Sequence, residues 1–172
     1  MRIARRTTLL VLTVLLASLP AAGSSLYHRY SGKYFTMPLL KGWTASDGPG
    51  GVNAWSHGRS MGVSYARTGT AKPVTLPNLE SAALTQTGLG FSNIKVIQET
   101  SVIPVTSGVK QQNLIFTATV KGVAWEGQLD AGTVTAKKQY GVYAYLAAAR
   151  KSLWSQYRAN LEYMMTHVSA KG

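Results

Sequence analysis

Three histidines, six carboxylates and a serine in a Gly-Val-Ser-Tyr-Ala setting are the residues of this chain with the types to do chemistry. His28, His57 and His167 lie far apart, no His-x-x-x-His spacing occurs, and there is no cysteine. Metal ligation needs several such donors to converge, and the spacing offers no such set. Glu126 and Asp130 form the close acidic pair. On a strand, residues at that separation stand about 13 Å apart. That is too far to share one ion, whose bonds to oxygen are about 2.0–2.6 Å. It also exceeds the ~5–9.5 Å between the two carboxyls of a glycosidase. Both acids are therefore expected to be solvated residues that balance nearby lysines.

Ser64 lies in Gly62-Val63-Ser64-Tyr65-Ala66. A nucleophile elbow needs a closing glycine and a strand, sharp turn and helix around the serine. Here the serine sits inside a strand pattern, so a solvent-face strand serine is expected. The glycine stretches GPGG (48–51) and GLGFSN (88–93) lack the phosphate-loop pattern, and the second runs from helix to strand, the wrong order for such a loop. His57, beside Gly58 and Arg59, reads as an exposed turn residue. Tyr140, Tyr143 and Tyr145, with Trp125 and Trp154, are weighed as a pocket lining against the commoner role of core and rim. No catalytic, cofactor-binding or metal-binding residue is assigned, ligand-binding residues stay unassigned, and no cofactor is expected.

The elements that must carry these residues follow from periodicity. Tyr34–Leu39 reads as a short strand after a loose segment at 24–33, and TASDGPGG (44–51) reads as a turn cluster. Val52–Ser56 and Met61–Ala66 form a hairpin around His57–Ser60. From Thr75, with Pro77 suited to a first turn, a helix of about three turns is expected, with Leu79, Ala82, Ala83 and Gln86 on one face and Gly88 as its stop. A strand from Ile94 then runs past Val102 toward Pro104. Thr106–Gly108 and Lys121-Gly122 are turns. Val109–Val120, a strand beginning at Val123 and Gln139–Ala148 complete an antiparallel meander. A final helix, Ser152–Val168, carries a stripe of Leu153, Trp154, Tyr157, Leu161, Met164, Met165 and Val168, and is expected to cover the sheet rather than lie on a membrane.

At the start, Arg2, Arg5 and Arg6 precede an uncharged apolar run, Thr8–Leu19, and the small residues Ala21-Ala22-Gly23-Ser24. That is the layout of a secretory signal peptide, and the run is too short for a membrane span of about 20 residues. The expected organisation is residues 1–23 as signal peptide and 24–172 as one domain, exported to the periplasm or beyond. The chain carries 18 Lys+Arg against 6 Asp+Glu. Without the three leader arginines the balance is 15 against 6, a charge of +9. Such a charge favours acidic partners outside the membrane: lipid head groups, cell-wall polymers or an acidic protein. Nucleic acid is not expected as a partner. The bases are dispersed, and Lys121-Gly122-Val123-Ala124-Trp125 lacks the first aromatic of an RNA-recognition strand.

Trp43 directly after Gly42 is expected to fold back over the sheet end and plug the core. A Pro-and-Gly-Trp turn (MPLLKGW), a hairpin, a helix ending LTQTGLG, the strand FSNIKVIQE, long meander strands and a C-terminal amphipathic helix follow in that order. This order resembles the PsbP-like family, named for the extrinsic subunit of photosystem II, whose α/β/α sandwich is shared by bacterial envelope proteins of the DcrB type. The resemblance spans roughly residues 30–168. It implies an α+β fold, an antiparallel sheet of about six or seven strands flanked by helices, and an accessory or binding role without shared catalytic residues. The expectation is therefore a non-enzymatic, exported accessory protein that docks a protein or envelope partner. Weak electrostatic contact with an anionic membrane surface is a secondary expectation, and the alternative is a small-ligand binder or a hydrolase.

Overall fold

Residues 26–85, 89–136 and 139–171 are described by the computed structural model. Residues 1–25 lie outside them, as do Gln86, Gly88, Lys137 and Lys138, so neither the expected signal peptide nor the glycine stop of the first helix is tested.

The apolar alternation of the long strands builds an antiparallel sheet of eight strands. They are β3 (Thr44–Gly48), β4 (Gly51–Trp55), β5 (Met61–Thr70), β6 (Ser92–Glu99), β7 (Ile103–Thr106), β8 (Val109–Val120), β9 (Val123–Ala136) and β10 (Gln139–Arg150). Their spatial order is β3-β4-β5-β10-β9-β8-β6, and β7 pairs with β8 beyond the end of β6. A separate three-stranded sheet joins β1 (Tyr27–Ser31), β2 (Phe35–Leu40) and β11 (Ser169–Ala170). The helices are α1 (Leu76–Thr85) and α2 (Lys151–Thr166).

β10 separates two cores. Ala144, Leu146 and Ala148 pack with Leu76, Leu79 and Leu84 of α1. Ala147 and Ala149 pack with Trp154, Leu161, Met164 and Met165 of α2 and with Phe35, Met37 and Leu39 of the small sheet. Alternating residues of a strand point to opposite faces, so α1 covers one face while α2 and the small sheet cover the other. This is the expected α+β sandwich. The apolar stripe of α2 is turned onto the sheet, as its spacing requires.

Three details differ from the sequence reading. The segment before Tyr34 is not loose, because Tyr27–Ser31 pairs with Leu40–Thr36. The turn cluster at 44–51 is itself a hairpin: Thr44–Gly48 pairs with Trp55–Gly51, so the breakers are concentrated at Pro49-Gly50. The strand expected through Val102 is broken, with β6 ending at Glu99 and β7 starting at Ile103. Gly42 has φ +76°, and Trp43 is buried in the core as expected. At the β8–β9 turn Lys121 and Gly122 both have positive φ, 49° and 79°, which suits a two-residue hairpin.

Candidate functional site

The β6–β7 edge sets the geometry of the most concave region. β8 is paired with β6 over Leu114–Thr119 and with β7 over Val109–Gln111, so the outer strand changes midway. The change is clamped by side chains. Thr100 N donates to Asn113 O at 2.9 Å, Asn113 N donates to Thr100 Oγ1 at 3.1 Å, and Gln112 Nε2 donates to Thr100 O at 3.0 Å. Gln112 Nε2 also donates to Glu99 Oε1. These bonds satisfy backbone groups that the broken ladder would leave unpaired.

On the α1 side of this bend lies a cleft of about 1100 Å³. Its walls are the Pro73–Pro77 segment leading into α1 and the β7–β8 hairpin, and Glu99, Gln112 and Lys110 line it. Glu80 of α1 is only 8% exposed, and its Oε1 has no hydrogen-bond partner among the described residues. Burial pushes its carboxyl above the usual range, and the neighbouring Glu99 adds to the effect. The sequence reading missed Glu80. It set Leu79, Ala82, Ala83 and Gln86 on one face: Leu79 is buried and Ala82 and Ala83 are half-buried, Gln86 lies outside the described residues, and Leu76, Glu80 and Leu84 are the further buried residues. An acidic residue in step with three leucines was the available signal.

The edge itself is apolar, and its Val102 also lines the cleft. Val96, Ile97, Val102, Ile103 and Val105 are 43–52% exposed. They are five of the seven large exposed hydrophobic residues among those described, and all lie within β6, β7 and the bend between them. Scattered apolar residues need no explanation, but a cluster along an unpaired strand edge does.

A second polar group sits on the α2 face. Asp130 is 8% exposed, not solvated as expected. It accepts from Gln128 Nε2 at 3.1 Å, and burial pushes its carboxyl up, with the hydrogen bond acting the other way. Gln128 Oε1 accepts from Arg158 of α2 at 3.3 Å, and Arg158 pairs with Glu162 at 2.7 Å. Beside it Tyr65 and Tyr145 stack at 4.5 Å between ring centres. Tyr145 is pushed up to about 12 by burial and by the adjacent Tyr65 and Tyr143. Tyr143 donates to Gln111 Oε1 at 3.0 Å. The ladder is internally satisfied.

The other sequence candidates do not come together. His57 lies in an exposed 3-10 turn at the β4–β5 connection, His28 on β1 and His167 after α2. Glu126 is half-buried on β9, and no hydrogen bond or ion pair joins it to Asp130 or His57 among the described residues. Ser64 is half-buried within β5, opposite Asn53 and Leu146. The aromatic residues weighed as one lining are divided by the sheet: Trp125 belongs to the α1 core, Trp154 and Tyr145 to the α2 core, and Tyr140 to the rim of the cleft. No cluster of three or more metal-ligating side chains occurs among the described residues.

No protein-family profile matches the chain, and no curated protein matches it. Solved structures do. Cyanobacterial PsbP (CyanoP) of Synechocystis is 15% identical with a TM-score of 0.53, covering 91% of this chain and 99% of that one. LpqN, described as involved in cell envelope biogenesis of Mycobacterium tuberculosis, is 11% identical with a TM-score of 0.50, covering 85% and 91%. The Ran-binding protein Mog1p of Saccharomyces cerevisiae is 10% identical with a TM-score of 0.46, covering 83% and 95%. The chain has the PsbP-like fold.

Proposed function

We propose that this protein is an exported, non-enzymatic accessory protein of the cell envelope that docks an acidic protein partner along its β6–β7 edge. The observation that carries this reading is the cluster of Val96, Ile97, Val102, Ile103 and Val105 on a strand edge that is unpaired on its outer side among the described residues. Such an edge offers main-chain donors and acceptors for an added strand, and the alternating side chains supply apolar contact. Lys95 on β6 and Lys110 on β8 flank it, and a chain with 18 basic and 6 acidic residues repels a second copy of itself and attracts an acidic partner. The fold shared with LpqN and PsbP supports an envelope setting, and the leader pattern supports export. Among the described residues no helix is long and apolar enough to cross a membrane.

The test is a photocrosslinker at Ile97 in cells, with Val105→Asp on the same edge and Ser46→Asp on the opposite edge strand β3. The expected result is one crosslinked polypeptide, lost with Val105→Asp and retained with Ser46→Asp. Crosslinking that ignores the β7 substitution, or that yields nothing stoichiometric at low salt, overturns the docking edge.

The roughly 1100 Å³ cleft favours a second reading, a small-ligand site on the α1 face.

A further inference from the structure

We propose that the sheet face beside α2 binds a neutral glycan, with a pyranose ring stacked on Tyr143 and its hydroxyls held by Gln111, Asn113 and Asp130. The inference uses other residues than the docking edge and the cleft, and it rests on neither.

The placement of Tyr143 carries it. Tyr143 on β10 lies opposite Gly132 on β9, and Gly132 lies opposite Gln111 on β8. A Cβ at Gly132 would collide with Cζ, Cε1 and Oη of Tyr143. The Tyr143 hydroxyl donates to Gln111 Oε1 at 3.0 Å. The ring therefore lies flat across β9, reaching from one neighbouring strand to the other. Its inner face covers backbone, and the residue is only half-buried, so its outer face is open. Tyr145, two residues along the same face, is set differently. Its ring stacks on Tyr65 of the adjacent strand at 4.5 Å between centres. Paired strands are about 4.8 Å apart, so these two rings stand upright. Tyr143 and Tyr145 are inclined at 71°. A flat floor beside an upright wall suits a ring with an apolar face and a polar rim. The C–H face of a pyranose is such a surface, drawn to the negative face of an aromatic ring.

The polar groups around this floor match hydroxyls. Gln111 Nε2 donates to Asn113 Oδ1, and Gln128 Nε2 to Asp130 Oδ1, both at 3.1 Å. These bonds fix the amides without exhausting them, since each amide nitrogen carries two hydrogens. Asn113 Nδ2 and Asp130 Oδ2 make no hydrogen bond among the described residues. Asn113 lies opposite Asp130 in register, one pair along from Gln111 and Gly132 on this face, so both border the Tyr143 ring. Charge selects a neutral occupant. In a chain with 18 Lys+Arg, no lysine lies among these groups. Arg158 is paired with Glu162, and Arg67 at the rim lies over the Phe35 ring.

Past Tyr143 the face continues as an open groove of about 660 Å³. Gly69 and Gly141, opposite each other, form its floor between Tyr65, Arg67 and Val134. Glycine within strands lets a ligand approach the backbone closely. An open groove of this kind suits a segment of a polymer.

The probe is cellotetraose, a neutral β-linked glycan, followed by backbone amide NMR of the folded protein. Sorbitol, an open-chain polyol, and hexaglutamate, an anionic peptide, are the controls. Saturable shifts are expected at Gln111, Asn113, Gly132 and Gly141 with cellotetraose and not with sorbitol. Tyr143→Leu keeps bulk over Gly132 but loses the ring, and should weaken binding about tenfold. Tyr143→Phe keeps the ring, and should bind within about threefold of wild type. Asn113→Ala should also cost about tenfold. Its backbone bonds to Thr100 stay in place, so this variant decides if Tyr143→Leu does not fold. Lys110→Gln on the other face of β8 and Arg67→Gln at the rim should leave the affinity unchanged. The proposal is overturned if cellotetraose gives no saturable shift or sorbitol matches it. It is equally overturned if Tyr143→Leu and Asn113→Ala bind as wild type, if Arg67→Gln abolishes binding, or if hexaglutamate takes the face instead.

Discussion

Asp47 shows how one side chain can join two sheets. Its carboxylate accepts from Tyr34 N at 2.6 Å, Phe35 N at 2.9 Å, Tyr30 Oη at 3.0 Å and Lys33 N at 3.3 Å. The donors lie on and between β1 and β2, and the acceptor is on β3. Partial burial, the largest single influence, favours the neutral acid, but the four bonds together outweigh it and hold the carboxyl below its ordinary range. For a depressed acid the stabilisation is complete above the unfolded pKa, near 3.9, and is lost as pH falls through the folded value. Asp47→Asn turns an amide donor toward backbone donors. Its unfolding midpoint is expected to fall clearly below wild type at pH 7, and the two are expected to converge in strong acid. A midpoint difference that persists undiminished in strong acid would show that shape, not charge, is what Asp47 supplies.

At the scale of elements, cross-strand pairs explain what periodicity alone did not. Trp55 lies opposite Gly62, Phe116 opposite Gly127 and Tyr143 opposite Gly132. In each pair the ring covers the glycine: a Cβ at Gly127 would meet Phe116 Cζ at 2.6 Å and Ala147 O at 2.7 Å. The glycines give the rings room, and the rings cover backbone that a glycine leaves bare. Gly127→Ala is expected to cost about 1–3 kcal/mol in denaturant unfolding, the usual penalty for an overpacked core. Gly69→Ala, where the nearest atom to a new Cβ is 3.8 Å away, should be neutral within about 0.5 kcal/mol. Equal costs at both positions would refute the pairing. The strands themselves were legible, since Leu114, Phe116 and Ala118 alternate and the α2 stripe is long. The glycine partners were not, because register is set by turns and packing across the sheet. The same limit explains the cleft. Glu99 and Gln112 are 13 residues apart in the chain, and the bend at Thr100–Val102 brings them together in the cleft wall. A run of Val, Ile and Pro through that bend reads as one continuous strand. The bonds to Thr100 from the Gln112 side chain and the Asn113 backbone, which hold the break, are tertiary.

For the whole molecule the governing property is charge, +12 over the chain and +9 without Arg2, Arg5 and Arg6. For the proposed envelope protein two kinds of association are to be told apart, and salt separates them. Adsorption to an anionic bilayer acts through dispersed exposed lysines, and screening shortens its reach from about 30 Å at 0.01 M salt to about 8 Å at 0.15 M. Docking along β6–β7 buries apolar surface, which salt of that strength does not weaken. Sedimentation with phosphatidylglycerol vesicles is therefore expected at 0.01 M salt and should be largely lost at 0.15 M, with Ile97→Asp behaving like wild type apart from its one added negative charge. The crosslink from Ile97 to a protein partner should survive the higher salt. Vesicle binding that persists at 0.15 M and fails with Ile97→Asp would mean that the edge inserts into lipid, and the acidic protein partner would then have to be given up.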